Sequence, residues 1–181
     1  MKGIVIYKGK YGATRQYAEW IGKELKLPVI SADDMNEDTL TGYDFVILGS
    51  SVYVGRLLLS AWLRMHEKIL SKKKVFLFIV CGSPAEGKEK QQAMIGKSVP
   101  PSIGGHAMTY FMRGRMIYKN LRWSDKLVLR TGAMLIKDPA KKQKMLTDFD
   151  GVKHQLILPL VSDVRAFLPE IKNVAPEYHS G

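Results

Sequence analysis

Only one cysteine, Cys81, stands in the 181 residues. That excludes an internal disulfide framework and fits a reducing compartment. Four scattered histidines beside that cysteine give no zinc-ligand spacing, so no metal is expected. Long apolar runs are missing as well: the stretch 75–81 is among the longest, far below the roughly 20 residues of a membrane span. The N-terminus lacks the basic-then-apolar layout of a signal peptide, and a cytoplasmic location is the expectation. Neither a repeat nor a low-complexity linker interrupts the chain. Acidic residues are few, 17 against 28 lysines and arginines, for a net charge of +11.

What is present is enough apolar sequence, 46%, for a full core. One domain over residues 1–172 with a short tail at 173–181 is the simplest division. The charge is uneven. Residues 1–71 carry nine basic and eight acidic side chains, residues 72–181 nineteen and nine. A basic second half points to an anionic partner, or simply to a solvated basic face.

Apolar strand-like runs at 3–7, 28–31, 43–48, 74–81 and 106–112 alternate with helical patterns at 14–25, 57–70 and 86–97. Tyr17, Ile21 and Leu25 share one helical face; Leu59, Leu63 and Leu70 point inward from the next helix; Pro100 and Pro101 end the third. This rhythm implies parallel pairing by crossovers, hence a doubly wound α/β fold with a five-stranded parallel sheet and helices on both faces. Three turns then fall at strand carboxyl ends, where such folds collect ligands: 8–14, 49–55 and 81–84.

The first of these turns, "YKGKYGAT", contains Gly9 and Gly12 and ends in Thr14 at a helix start. Free backbone N–H groups and the positive end of the helix dipole make an anion site there, most simply for phosphate. An ordinary turn capped by Thr14 is the plain alternative. Neither GxxxxGK[ST] nor GxGxxG is present.

Taken together, the three turns resemble the flavodoxin-like family, whose TxTGxT-type loop after the first strand binds the phosphate of FMN. The matching residues are Lys10, Tyr11, Gly12, Ala13 and Thr14; Gly12 and Thr14 keep the pattern, while Lys10 and Tyr11 replace hydroxyl residues and Lys10 offers a charge-assisted contact instead. The resemblance, over roughly residues 2–168, implies FMN as cofactor. It places Ser51, Val52, Tyr53, Val54 and Gly55 beside the flavin, with Tyr53 against the ring, and Cys81, Gly82 and Ser83 on its other side. Cys81 reads as a small buried residue. Within the family, "GSSVYVGR" and the "RWSDK" core at 122–126 look like the menaquinone-dependent protoporphyrinogen oxidases.

Residues 113–136 form a basic amphipathic insertion. Arg113, Arg115, Lys119, Arg122, Lys126 and Arg130 are interleaved with Trp123 and several aliphatics, and Asp125 is the one acid among them. Such a segment suits an anionic membrane surface, or closure over an anionic apolar ligand such as a quinone or a porphyrinogen. Packing on the sheet with the basic face in water is the alternative. No catalytic residue can be named; His106 is a candidate, although a histidine starting a strand also serves structure. Three readings stay open: an FMN-dependent oxidoreductase resembling protoporphyrinogen oxidase and coupled to quinone, a flavodoxin-like electron carrier working with protein partners, and a degenerate non-flavin or basic nucleic-acid-binding module. The last lacks any helix-turn-helix or zinc-finger signature.

Overall fold

Alternation along the strands sorts side chains onto two faces, and a computed structural model describes the result for residues 1–82 and 87–168. Ser83 and the expected tail at 173–181 lie outside the described residues. In chain order, β1 (Gly3–Lys8) leads through α1 (Ala13–Leu25) to β2 (Val29–Ser31). After α2 (Glu37–Thr41) comes β3 (Phe45–Tyr53), which folds back onto β4 (Arg56–Leu57). The short helices α3 (Ser60–Met65) and α4 (Glu67–Leu70) precede β5 (Lys74–Cys81), and α5 (Lys88–Ser98) and α6 (Pro101–Gly104) precede β6 (Met108–Arg113). The chain then leaves the sheet through β7 (Arg115–Met116), a 3-10 turn at Tyr118–Asn120, α7 (Trp123–Met134), α8 (Pro139–Leu146) and β8 (Phe149–Asp150). It returns by a second 3-10 turn, His154–Ile157, to α9 (Leu158–Phe167).

Five strands pair in parallel in the order β2-β1-β3-β5-β6. Ile4, Ile6, Val46, Leu48, Val75, Leu77 and Ile79 face one way, against Leu63, Leu70 and Ile103. Val5, Phe45, Ile47, Phe76, Phe78 and Val80 face the other, against Tyr17 and Ile21 of α1 and Leu160, Val161 and Val164 of α9. Both faces are covered by helices, which is why the strands read as nearly continuous apolar runs. The doubly wound five-stranded sheet expected from the sequence is the fold observed.

Two local expectations are corrected. The segment 49–53 is strand rather than loop: β3 runs on to Tyr53 because Gly49, Ser50 and Ser51 pair with Phe78, Ile79 and Val80 of β5. The expected helix over 57–70 is a two-residue strand and two short helices. Its first turn is tied down instead, with the Leu57 N–H donating to Ser98 Oγ and the Leu59 N–H to Ser50 Oγ, both at 3.1 Å. Leu59, Leu63 and Leu70 still point inward and are fully buried. Pro101 begins α6 at its first turn, where its missing N–H removes no helical hydrogen bond.

Candidate cofactor-binding cleft

The carboxyl ends of β1, β3, β5 and β6 meet at one edge, and the strand order reverses between β1 and β3. There the sheet opens into a cleft of about 870 Å³, within the usual range for small-molecule sites, roughly 300–1,000 Å³. Lys10, Tyr11, Ala13, Thr14, Ser51, Val52, Tyr53, Val54, Cys81 and Gly82 all line it. Gly12 and Gly55 shape the backbone behind this lining: both have positive φ, 85° and 71°. Ser83 lies outside the described residues.

The first wall is the loop before α1. Gly12 is the N-cap of that helix, and no side chain caps it. The first-turn N–H groups of Ala13 and Thr14 therefore keep their dipole end for a ligand. Thr14 is only 2% exposed. A Cβ at Gly9 would lie 2.8 Å from Thr14 Oγ1, so glycine is what lets the loop close over that hydroxyl.

Lys10 and Tyr11 are bonded to the insertion. Lys10 Nζ donates to Asp125 Oδ1 at 2.7 Å, the Tyr53 hydroxyl to the same oxygen at 2.8 Å, and the Tyr11 hydroxyl to Oδ2. The Lys10 ammonium also lies 4.2 Å from the Tyr53 ring centroid. Lys10, expected to offer a charge-assisted contact to phosphate, thus stands in an ion pair with a carboxylate from the insertion. Asp125 is 4% exposed. Burial pushes its carboxyl upward, but the hydrogen bonds from Lys10, Tyr11 and Tyr53 outweigh this and hold it at about 2, below the ordinary 3.8.

A folded-state value below the unfolded one means that ionised Asp125 stabilises the fold above about pH 3.8, and that this contribution is lost as pH falls towards 2. Acid unfolding of wild type and Asp125→Asn should show it. The wild-type advantage near neutral pH is expected to shrink between about pH 4 and pH 2; a constant difference across that window would refute the assignment.

The second wall is the β3–β4 hairpin. Tyr53 pairs with Arg56 across a two-residue turn, Val54 and Gly55, in which both φ values are positive, as in a type I′ turn. Val54 is a β-branched residue in the left-handed region, 70% exposed at the cleft rim. The third wall is the end of β5. Cys81 is half-buried there rather than in the core, and its carbonyl accepts the Gly114 N–H at 2.9 Å. Phe149 closes over Gly82, so that a Cβ on Gly82 would meet the ring at 3.3 Å.

The insertion supplies the fourth wall. Its inner side brings Met116, Leu121, Asp125, Val128, Leu129, Gly132 and Ile136 to the cleft. α7 does not pack on the sheet, contrary to the plainer expectation, since its inner face covers the cleft and its outer face is exposed: Trp123, Leu127 and Met134 are 79%, 55% and 74% accessible. The six basic residues divide. Arg113 and Arg115 line the cleft, Arg113 over the Phe149 ring and Arg115 paired with Asp150 at 2.6 Å. Lys119, Arg122 and Arg130 are exposed, while Lys126 is half-buried. His106 lies in the turn before β6, exposed, with Nε2 3.2 Å from the Lys73 carbonyl. That is the amino edge of the sheet, away from the cleft.

Asp125, Arg113, Arg115 and Phe149 are among the cleft residues that sequence reasoning did not assign to the cofactor site. The lone acid in a basic run was the available signal for Asp125.

The flavodoxin domain family matches residues 4–144. The chain belongs to the flavodoxin domain family. An uncharacterised protein of Methanocaldococcus jannaschii is 28% identical over 85 residues, 46% of this chain and 57% of that relative, so the match spans little more than half of its length. Among solved structures, a flavodoxin from the domain Archaea aligns at 18% identity over 91% of this chain and 99% of that one, with a TM-score of 0.46. The Streptococcus pneumonia TIGR4 flavodoxin aligns at 12% identity over 93% and 100%, with a TM-score of 0.47. The flavodoxin domain supports a general electron-transfer role, and FMN is the cofactor this family implies. The donor set fits the phosphate of FMN: an uncapped thirteen-residue helix, a buried threonine and a glycine N-cap. An aromatic ring at the same cleft, Tyr53, fits its planar part.

Proposed function

We propose that this flavodoxin-domain chain is an FMN-binding electron-transfer protein. The observation that carries this reading is the convergence of the uncapped α1 N-terminus, Tyr53 and Cys81–Gly82 on one cleft at the β1/β3 reversal. The N–H groups of Ala13 and Thr14 and the Thr14 hydroxyl would hold the phosphate. Tyr53 and the Cys81–Gly82 segment would flank the ring system. Bound FMN supplies one- and two-electron transfer, and the chain supplies position, water exclusion and field. Protein donors and acceptors, as for an electron carrier, are the partners the family likeness supports best.

One observation favours a second reading, an oxidoreductase acting on a small molecule. The insertion lines the cleft with Met116, Leu121, Val128, Leu129 and Ile136. It also sets the Arg113 guanidinium at the wall with no carboxylate partner among the described residues. An apolar substrate with an acidic group suits such a wall, and the "GSSVYVGR" and "RWSDK" likeness makes protoporphyrinogen oxidation coupled to a quinone the specific form of this reading.

The visible absorption spectrum, taken after adding FMN and removing the excess, tests both. Retained flavin peaks are expected, and their absence would sink the FMN reading. With flavin retained, fast electron exchange with a flavodoxin reductase favours the carrier; turnover of protoporphyrinogen with a quinone favours the oxidase.

The outer face of α7 is proposed to meet an anionic lipid surface. Trp123, Leu127 and Met134 share one exposed stripe, flanked by Arg122, Lys126 and Arg130. No described helix is long and apolar enough to cross a membrane. Flotation with vesicles containing phosphatidylserine is expected to carry the protein, less so at high salt and less for Trp123→Ala. Equal flotation with neutral vesicles would count against it.

A further inference from the structure

The least expected group in the cleft is a carboxylate. Asp125 brings a negative charge, nine-tenths buried, into a site whose first wall is built to receive an anion. It collects three donors, and two of them belong to the loop that precedes α1. Lys10 and Tyr11 stand two residues and one residue before the N-cap glycine, and the third donor is the Tyr53 hydroxyl. The Tyr11 oxygen also accepts the Arg122 N–H at 3.3 Å, so the start of α7 is held to that loop at a second point. Meanwhile the Lys10 ammonium covers one face of the Tyr53 ring at the cleft.

We propose that Asp125 is a built-in competitor for the phosphate loop: its carboxylate occupies Lys10, Tyr11 and Tyr53 and latches α7 across the cleft until a phosphorylated planar ligand displaces it. The competition follows from charge. A ligand phosphate at the α1 N-terminus offers Lys10 a second anion, and a flat molecule stacking on the face of Tyr53 that the ammonium covers displaces it. As Lys10 moves, Asp125 loses its one cationic partner among the described residues. A buried carboxylate without that partner is poorly solvated, which favours its withdrawal together with α7. Asp125 is thus a positioning residue that couples occupancy of the cleft to opening of its lid. The identity of the ligand as FMN rests on the function proposed above.

The test combines hydrogen exchange over residues 123–134 with FMN affinity, in wild type, Asp125→Asn and Lys10→Gln. Both variants are expected to exchange faster in α7 without ligand. Asp125→Asn should bind FMN about tenfold more tightly, the weight of one released charge-assisted hydrogen bond, and Lys10→Gln more weakly. FMN added to wild type should itself speed exchange in α7. Faster exchange in Asp125→Asn with unchanged or weaker FMN binding would leave only a structural tether and overturn the competition. Unchanged exchange in both variants would overturn the latch. Should Asp125→Asn fail to fold, Lys10→Gln decides by its exchange rate alone, with no acceleration counting against the latch. If none of the three proteins binds FMN, the FMN reading falls, and the same titration with inorganic phosphate decides the inference: tighter binding by Asp125→Asn sustains it, and equal or absent binding overturns it.

Discussion

Gly12→Asp is expected to lower FMN affinity by at least about a hundredfold while the protein stays folded. Gly12 is exposed, has φ +85°, and a Cβ there would meet nothing within 4 Å. Aspartate tolerates the left-handed region better than most residues, and at an N-cap it satisfies helix N–H groups and favours the dipole. The backbone cost is therefore largely offset. The carboxylate, however, stands at the proposed phosphate site. Two unit charges about 4 Å apart repel by about 4 kcal/mol at an effective dielectric near 20, about a thousandfold in affinity. Exposure to solvent reduces this towards a hundredfold. Gly12→Asn carries the same backbone change without the charge and should lose far less. Titration of the apoprotein by flavin fluorescence, with thermal unfolding as a control, measures both; equal losses in the two variants would place the phosphate elsewhere.

The second large effect is on stability. Gly49→Val is expected to cost more than about 3 kcal/mol, at the upper end of overpacking effects, and to lower Tm by about 10 °C for a chain of this size. Gly49 lies opposite Phe78 in the β3–β5 register, and the Phe78 ring rests on it. A Cβ would stand 2.1 Å from Phe78 Cζ, and Phe78 is fully buried, so the ring has nowhere to go. β1 repeats the device, with a Cβ at Gly3 falling 2.1 Å from Cζ of its partner Phe45. A double-mutant cycle checks the cause. Gly49→Ala and Phe78→Leu should each destabilise, and their combination should cost clearly less than the sum. Simple additivity would mean that the glycine matters through backbone entropy and not through the ring.

Gly49 also shows where local reading fails. In the sequence it stands in a glycine- and serine-rich stretch, and such stretches read as loops. In the protein it is a mid-strand residue chosen for the aromatic ring that crosses it from a strand about thirty residues on. Ser50 is similar: it is fully buried, and its hydroxyl accepts the Leu59 N–H instead of facing a ligand. Position alone gives no sign of either role, because both depend on what the neighbouring strand presents.

The strands and the layer architecture were legible in the chain itself, since continuous apolar runs and four-residue helical spacing are local properties of the sequence. The same holds for the loop before α1, where Gly12 and Thr14 mark a strand-to-helix turn with free N–H groups. Only the tertiary structure decided what stands beside that site. Lys10 and Asp125 are 115 residues apart, and their meeting depends on how a forty-residue excursion from the sheet folds back over the cleft. Spacing along the chain carries no information about that docking: it is set by packing of the insertion's inner face and by the cost of burying a carboxylate without partners. The basic run therefore declared its charge in the sequence, whereas the role of its single acid depends on three donors brought to it from the loop before α1 and the end of β3.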